Sequence, residues 1–168
     1  RLQLKEDSKV LDISSGTGEP GLTIAELVPR GKVTALDLSE AMLAIAEEHA
    51  AERNISNFQT QAGDISSLDF PDRSGDAISC RMGFMFFPDI PAALKEMRRV
   101  LKPDCWLAAS VWDIPQKNFW VTVTMGTINE VLQLDPPPKD APGMFRCASP
   151  GFMQEHFEQA GFRNISET

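Results

Sequence analysis

The stretch VLDISSGTGEPG at residues 10–21 decides the fold, because an apolar run there ends in a glycine-rich turn. The run KVLDIS at 9–14 has the length of a strand, and EPGLTIAELV at 19–28 follows it with the period of a helix. The turn carries a GxGxxG pattern at Gly16, Gly18 and Gly21. Such a pattern brings backbone N–H groups at a helix N-terminus against a bound nucleotide. It is shared by several classes of nucleotide-binding protein.

The alternation of strands and helices continues along the chain. Further strands are predicted at 32–37, 58–63, 75–82 and 106–112, and further helices at 39–54 and 89–101. This order favours right-handed crossovers and a parallel sheet covered on both faces, with ligands bound at the carboxyl ends of the strands. We therefore predict an α/β fold, namely a doubly wound, mostly parallel, Rossmann-like sheet.

The helix at 39–54 has the clearest pattern of its own. Ser39 is placed to cap it, and its apolar side chains form one predicted stripe of Met42, Leu43, Ile45, Ala46 and Ala50. The 168 residues and the 42% hydrophobic content fit one domain over 1–168.

The alternation stops at about 113–150, which we interpret as an insertion. It contains a predicted helix around FWVTVTMGTINEVLQL and the proline-rich segment DPPPKDAPG, and another helix is predicted near 150–160. Three aromatic side chains at its start belong either to the core or to the wall of a substrate site: Trp112, Phe119 and Trp120.

Charge and cysteine content limit the partners. With 16 basic and 24 acidic residues the net charge is −8, which repels nucleic acid and anionic bilayers, so we predict neither nucleic acid nor a membrane as a partner. Cys80, Cys105 and Cys147 have no metal-site or disulfide spacing, so a reducing, cytoplasmic setting is predicted, with Cys147 the most exposed of the three. No run is long enough to span a membrane. His49 and His156 are predicted to be solvated, and we predict no metal site.

Two carboxylates flank the first loop, Asp12 in the strand before it and Glu19 at the start of the helix after it. Their charges would repel a pyrophosphate and attract a cation, since a close pair of unit charges is worth about 1 to 4 kcal/mol. We therefore expect a ligand that is positively charged near this loop. The second strand ends at Asp37, whose two oxygens can accept both ribose hydroxyls of a nucleoside or else cap the next helix.

VLDISSGTGEPG resembles the first motif of the class I S-adenosylmethionine-dependent methyltransferases, an acid in a strand followed by GxGxG. Ser14 stands where that family most often has a glycine, which restricts the backbone at that turn. The segment AGDISSLDF at 62–70 is similar to the family's adenine-binding segment, and LKPDCWLAASVW to its LKPGG turn and fifth strand, with Asp104 and Cys105 in place of the glycine pair.

The resemblance implies S-adenosylmethionine as cofactor and a set of residues around it. Asp64 would meet the adenine amino group, or only hold a turn, and Ile65 would pack on the ring. RMGFMFF at 81–87 matches the segment that closes over the sulfonium and begins the acceptor pocket, although its aromatic residues could equally be core. The cofactor residues implied are Asp12, Ser14, Gly16, Thr17, Gly18, Asp37, Leu38, Met42, Gly63, Asp64, Ile65, Arg81, Met82 and Phe87.

The resemblance extends over nearly all the chain, which opens close to the first strand and stops near the start of a sixth. Relative to the family it is truncated at both ends, and the open sheet edge that results predicts association with another copy. The function implied is methyl transfer to a small-molecule acceptor, of the quinone type, by direct displacement, for which no catalytic residue is assigned. Two alternatives stay open: an NAD(P)-dependent oxidoreductase and a non-catalytic nucleoside-binding module.

Overall fold

The computed structural model describes residues 2–135, 138 and 141–168, and it contains a five-stranded, fully parallel sheet. The strands are β1 (Lys9–Ile13), β2 (Lys32–Asp37), β3 (Phe58–Ala62), β4 (Gly75–Arg81) and β5 (Leu101–Ser110), in the order β3-β2-β1-β4-β5. The helices are α1 (Gly21–Leu27), α2 (Glu40–Glu52), α3 (Ile90–Val100), α4 (Phe119–Leu132) and α5 (Phe152–Gln159). The predicted Rossmann-like fold is confirmed.

The strand order reverses at β1, which is hydrogen-bonded to β2 on one side and to β4 on the other. Ile13 is in register with Leu36 of β2 and with Cys80 of β4, so the three strands end at nearly the same level. A reversal of this kind leaves a crevice at the carboxyl ends of the strands, where open α/β sheets bind their ligands. The loops that follow these strands are therefore the place to look for a site.

Apolar side chains of the sheet alternate between its two faces. Leu11 and Ile13 of β1 belong to the larger core cluster, which includes α3, whereas Val10 lies in a second cluster with Ile24 and Val28, at α1 and its C-terminus. Each helix can bury its apolar side only against a sheet face that presents such a row. This alternation is why helices cover both faces.

Two helices begin at the polar residues that the sequence offers. The Ser39 hydroxyl accepts a hydrogen bond from the N–H of Met42 and caps α2, and the Asp89 carboxylate accepts one from the N–H of Ala92 and caps α3. The apolar side of α3 recurs with helical period and is fully buried: Ile90, Ala93, Leu94, Met97 and Val100.

The apolar stripe predicted for α2 is narrower in the structure. Leu43, Ala46 and Ala50 are buried, but Met42 and Ile45 are exposed because they lie beside the row that faces the sheet. This part of the prediction was wrong.

Strand β5 begins at Leu101, five residues before the predicted start. Gly75 pairs with Leu101 and Ala77 with Trp106, so an irregularity in the ladder takes up the polar residues between them. Cys147 is buried in the larger cluster and Cys105 is only half-buried, the reverse of the expected order.

Part of the predicted proline-rich segment, residues 136, 137, 139 and 140, lies outside the described residues. Among the residues that are described, no helix is both long and apolar enough to cross a membrane.

Candidate functional site

Hydrogen bonds join the loops at the carboxyl ends of β1, β2 and β3. The N–H of Gly16 donates to Oδ2 of Asp37 at 2.9 Å, and the N–H of Gly63 donates to the carbonyl of Asp37 at 3.1 Å. The N–H of Ser15 donates to the carbonyl of Leu36 at 3.1 Å. Asp37 therefore holds together three of the segments that the sequence singled out.

The turn after β1 uses the left-handed backbone region at three positions. Ser14 has φ +53°, Gly16 +54° and Gly18 +109°. A non-glycine residue in this region is strained by about 1 to 2 kcal/mol, so Ser14 carries the restriction that its place in the motif implied. The strain is localised at the turn after β1.

Two glycines of the site are required by packing. A Cβ on Gly18 would lie 2.7 Å from Cδ1 of Leu22 and 3.2 Å from Cβ of Ala46, so Gly18 allows α1 and α2 to approach the turn. A Cβ on Gly83 would lie 2.7 Å from that of Ser14. Gly83 thus brings the loop after β4 against the loop after β1.

Asp37 is only partly buried, and each of its carboxylate oxygens accepts one backbone N–H. Oδ2 bonds Gly16 as described, and Oδ1 accepts from the N–H of Ser39 at 3.0 Å. Ser39, not Asp37, provides the capping side chain of α2. Since a carboxylate oxygen has two acceptor positions, Asp37 keeps acceptor capacity for a ligand.

Asp12 does not face the crevice, and the expectation that its charge meets a ligand was wrong. Its side chain is 0% exposed, with Oδ2 accepting from the N–H of Gly21 at 2.9 Å and Oδ1 from the hydroxyl of Ser79 at 2.6 Å. Burial raises the pKa of Asp12 to about 7, against the lowering effect of both hydrogen bonds. Asp12 is a structural acid that ties α1 and β4 to β1.

Glu19 is also turned to protein partners. Its carboxylate pairs with Arg53 at 2.7 Å and accepts from the hydroxyl of Thr23 at 2.8 Å. Partial burial alone would raise the pKa of Glu19, but the hydrogen bonds from Thr23 and Arg53 hold it below its ordinary value. The two flanking carboxylates are therefore already partnered, and the charge argument for a cation rests on Asp37 instead.

Apolar and basic side chains lie close to the turn. Met42 is exposed, and its Cε is 3.0 Å from the position that a Cβ on Gly16 would take, so it lies beside this glycine. Leu38 is exposed next to Asp37. Arg81 donates from Nε to the carbonyl of Glu19 at 3.3 Å, and Met82, at φ +61°, donates to the carbonyl of Ser110 at 2.9 Å.

Other predicted site residues have structural partners. Ile65 and Phe87 are buried in the larger core cluster, and the Phe87 ring lies 5.1 Å from that of Phe84. Asp64 is exposed and accepts from the N–H of Ser66 at 2.8 Å, so its carboxylate holds the turn after β3. Thr17 is exposed, and its carbonyl lies 3.0 Å from Nδ1 of His49.

Three residues at the site were not predicted from the sequence. Ser15 is buried, and its hydroxyl is the one buried side-chain polar atom without a partner in the part of the chain described. Ser79 holds Asp12, and His49 contacts the first loop although it was expected to be solvated. Only Ser15 had a sequence signal, its position inside the motif.

Comparison with known proteins decides the family. Residues 10–104 match the model described as "Methyltransferase domain", which covers more than half of the chain. The chain belongs to the methyltransferase-domain family. Together with the relatives below, this match makes it a class I, S-adenosylmethionine-dependent methyltransferase and gives no support to an NAD(P)-dependent oxidoreductase.

The methyltransferase is similar to two curated proteins named demethylmenaquinone methyltransferase. The protein from Listeria monocytogenes serotype 4a is 31% identical, over 98% of this chain and 73% of that protein. The protein from Staphylococcus carnosus is 42% identical, over 61% of this chain and 42% of that protein. A solved SAM-dependent methyltransferase from Aquifex aeolicus has a TM-score of 0.73 at 24% identity, over 96% of this chain and 76% of that one, a likeness of fold.

Proposed function

We propose that the methyltransferase binds S-adenosylmethionine at the carboxyl ends of β1 and β2 and methylates a small, apolar acceptor of the quinol type. The observation that carries the cofactor site is the bridge from the Gly16 N–H to the Asp37 carboxylate. This hydrogen bond holds the Asp37 carboxylate, a hydrogen-bond acceptor, at the point where the strand order reverses. The acceptor class follows from the names of the curated relatives, which act on demethylmenaquinone.

The residues present fit this cofactor. The remaining acceptor positions of Asp37 suit the two ribose hydroxyls, and the unpartnered hydroxyl of buried Ser15 is a further hydrogen-bonding group at the turn. Leu38 and Met42 offer exposed apolar surface on which a purine ring can pack. Asp64 and Gly63, after β3, are proposed for the adenine edge, with Ile65 beneath them.

The acceptor side of the site is proposed at the loop after β4. Arg81 ends this strand, Met82 follows it and is hydrogen-bonded to the last residue of β5, and Phe87 at the end of the loop is buried in the core. The rings of Trp112 and Trp120 lie 6.0 Å apart at the start of the insertion, beyond the end of β5, and are candidates for the outer wall. These residues would align a planar acceptor and exclude water from it.

When bound beside Asp37, S-adenosylmethionine would supply an electrophilic methyl group for the acceptor, with S-adenosylhomocysteine as the second product and the acceptor's proton released to solvent. The residues of the chain align the methyl donor and the acceptor, so the reaction needs no nucleophile from the protein. Neither histidine is assigned as a base, because His49 lies in α2 and His156 in α5, and neither belongs to a loop that follows a strand.

Two further expectations stay proposals. The three cysteines form no disulfide among the described residues, and we infer a cytoplasmic setting with a small-molecule partner and without nucleic acid. Among the described residues β5 is an edge strand of the sheet, so association with a second copy through this edge is also proposed.

Calorimetric titration with S-adenosylmethionine, S-adenosylhomocysteine and NAD tests the cofactor assignment. We expect saturable binding of both adenosyl compounds and none of NAD. Binding of NAD alone would refute the proposal. Binding of S-adenosylmethionine without turnover of any soluble quinol would instead support the non-catalytic nucleoside-binding alternative.

A further inference from the structure

Helix α4 is apolar on most of its surface and is mostly in contact with solvent. Val121 is its single buried side chain. The exposed large apolar residues of this helix are Phe119, Trp120, Val123, Met125, Ile128, Val131 and Leu132. At about 100° per residue they are distributed over about two-thirds of the circumference, with Thr124, Thr127 and Glu130 between them. A helix that packs on one protein face shows a single stripe, whereas apolarity on most sides is typical of an apolar surrounding medium.

Two polar side chains of α4 bond back to their own helix. The hydroxyl of Thr122 donates to the carbonyl of Phe119 at 3.1 Å, and that of Thr124 donates to the carbonyl of Trp120 at 2.8 Å. Hydroxyl groups satisfied within the helix cost little when water is removed, because no donor is left unpaired. Glu130 is the one ionisable residue of α4, and the charges just before the helix, Asp113 and Lys117, pair with each other at 2.8 Å.

From these observations we infer that α4 docks on the surface of an electrically neutral lipid bilayer. Its 14 residues measure about 21 Å, too short for a hydrocarbon core of about 30 Å, so the helix would lie in the interface and not span it. Trp112 and Trp120, in contact at its N-terminal end, are the residue type that prefers this interface. The net charge of −8 selects zwitterionic over anionic lipid.

A second copy of the chain is a poorer occupant of this surface. Half of the surface of a cylinder about 21 Å long and 10 Å wide is about 330 Å², so two α4 helices alone would bury much less than the 800 Å² or so that each partner contributes to a stable dimer. A bilayer has no such requirement, because its surface is continuous and needs no matching face of a minimum area.

Docking through α4 would bring the carboxyl ends of the strands towards the lipid. The helix follows β5 in the chain, and the end of β5 is hydrogen-bonded to the end of β4 through Met82 and Ser110. An apolar acceptor dissolved in the bilayer could then reach the site without crossing water. This consequence rests on the proposed function, whereas the docking itself does not.

Sedimentation with phosphatidylcholine vesicles tests the docking. We expect the parent protein to sediment with the vesicles and the double variant Val131→Gln/Leu132→Gln to lose at least tenfold in partitioning, at unchanged charge and with no loss of helix propensity. Leu27→Gln is the matched control, since Leu27 is as exposed as Leu132, each 61%, but lies in α1. Circular dichroism verifies that all three are folded.

A parent protein that stays in the supernatant at every lipid concentration would overturn the docking. So would an equal loss in Leu27→Gln, or a lipid-free dimer that the double variant dissociates, since the second copy would then cover α4. Titration with S-adenosylhomocysteine without vesicles keeps the two proposals separate. Cofactor binding without vesicle binding refutes only the docking, and vesicle binding without cofactor binding refutes only the proposed function.

Discussion

The turn after β1 and helix α4 differ in almost every physical respect. At the turn, backbone hydrogen bonds, positive φ angles and a fully buried acid fix each residue, and glycines occur where a side chain would collide. In α4 the apolar side chains contact solvent, and a Cβ on Gly126 would meet no atom within 4 Å. The comparison shows that internal contacts fix the turn after β1, whereas few internal contacts hold the apolar side chains of α4.

Matched glycine substitutions should separate the two regions most strongly. Gly18→Val should lower the free energy of unfolding by about 5 kcal/mol, because it combines collisions with Leu22 and Ala46 and a φ of +109°. Gly126→Ala in α4 should raise it by about 0.5 to 1 kcal/mol through helix propensity. Urea unfolding measures both, and similar effects at the two sites would remove the distinction.

The buried acid should give the turn region a pH dependence. Because its pKa is raised to about 7 in the folded protein, Asp12 binds more protons there than in the unfolded chain between about pH 4 and 7. Its contribution to stability is therefore present at low pH and falls as the pH rises, by at most about 4 kcal/mol.

The variant Asp12→Asn tests this pH dependence. It should be close to the parent in stability near pH 4 and more stable than the parent at pH 8, since its side chain keeps an acceptor for the N–H of Gly21 and has no charge to bury. Denaturant unfolding at the two pH values gives the difference. A difference in stability that does not change with pH would show that burial does not raise the pKa of Asp12.

Strain at single left-handed residues should give the smallest effect. Ser14→Gly should stabilise the protein by about 0.5 to 1 kcal/mol, because glycine adopts a φ of +53° without the Cβ contact. Gln133→Gly at the C-cap of α4, where φ is +49°, should stabilise the protein by a similar amount and is the matching substitution in the second region. A loss of stability at Ser14 alone would mean that its side chain is needed at the turn.

Much of the fold follows from local sequence patterns. The alternation of apolar runs predicted all five strands, because it reflects which face of each strand is buried. The caps at Ser39 and Asp89 lie at or next to the predicted helix starts, because a capping side chain bonds only to its own helix. The errors concern contacts between elements. The row of α2 that faces the sheet, the ladder irregularity before Trp106 and the burial of Cys147 depend on neighbours far away in the chain.

The same division holds at the site. The left-handed turn at Ser14 and the position of Asp37 were predictable because they depend on backbone conformation within one motif. The orientation of Asp12 was not, since its partner Ser79 lies 67 residues away. The role of Glu19 was not predictable for the same reason, because its carboxylate forms an ion pair with Arg53, just after α2.

The central claim is that Asp37 presents a carboxylate to the ribose of the bound nucleoside at the switch point of the sheet. Its direct test is the affinity of S-adenosylhomocysteine for Asp37→Ala, measured by calorimetry beside Asp72→Ala, which removes an exposed carboxylate paired with Arg99. We predict at least a tenfold weaker affinity for Asp37→Ala in a folded protein and an unchanged affinity for Asp72→Ala. Equal affinities for the parent and both variants would contradict the claim.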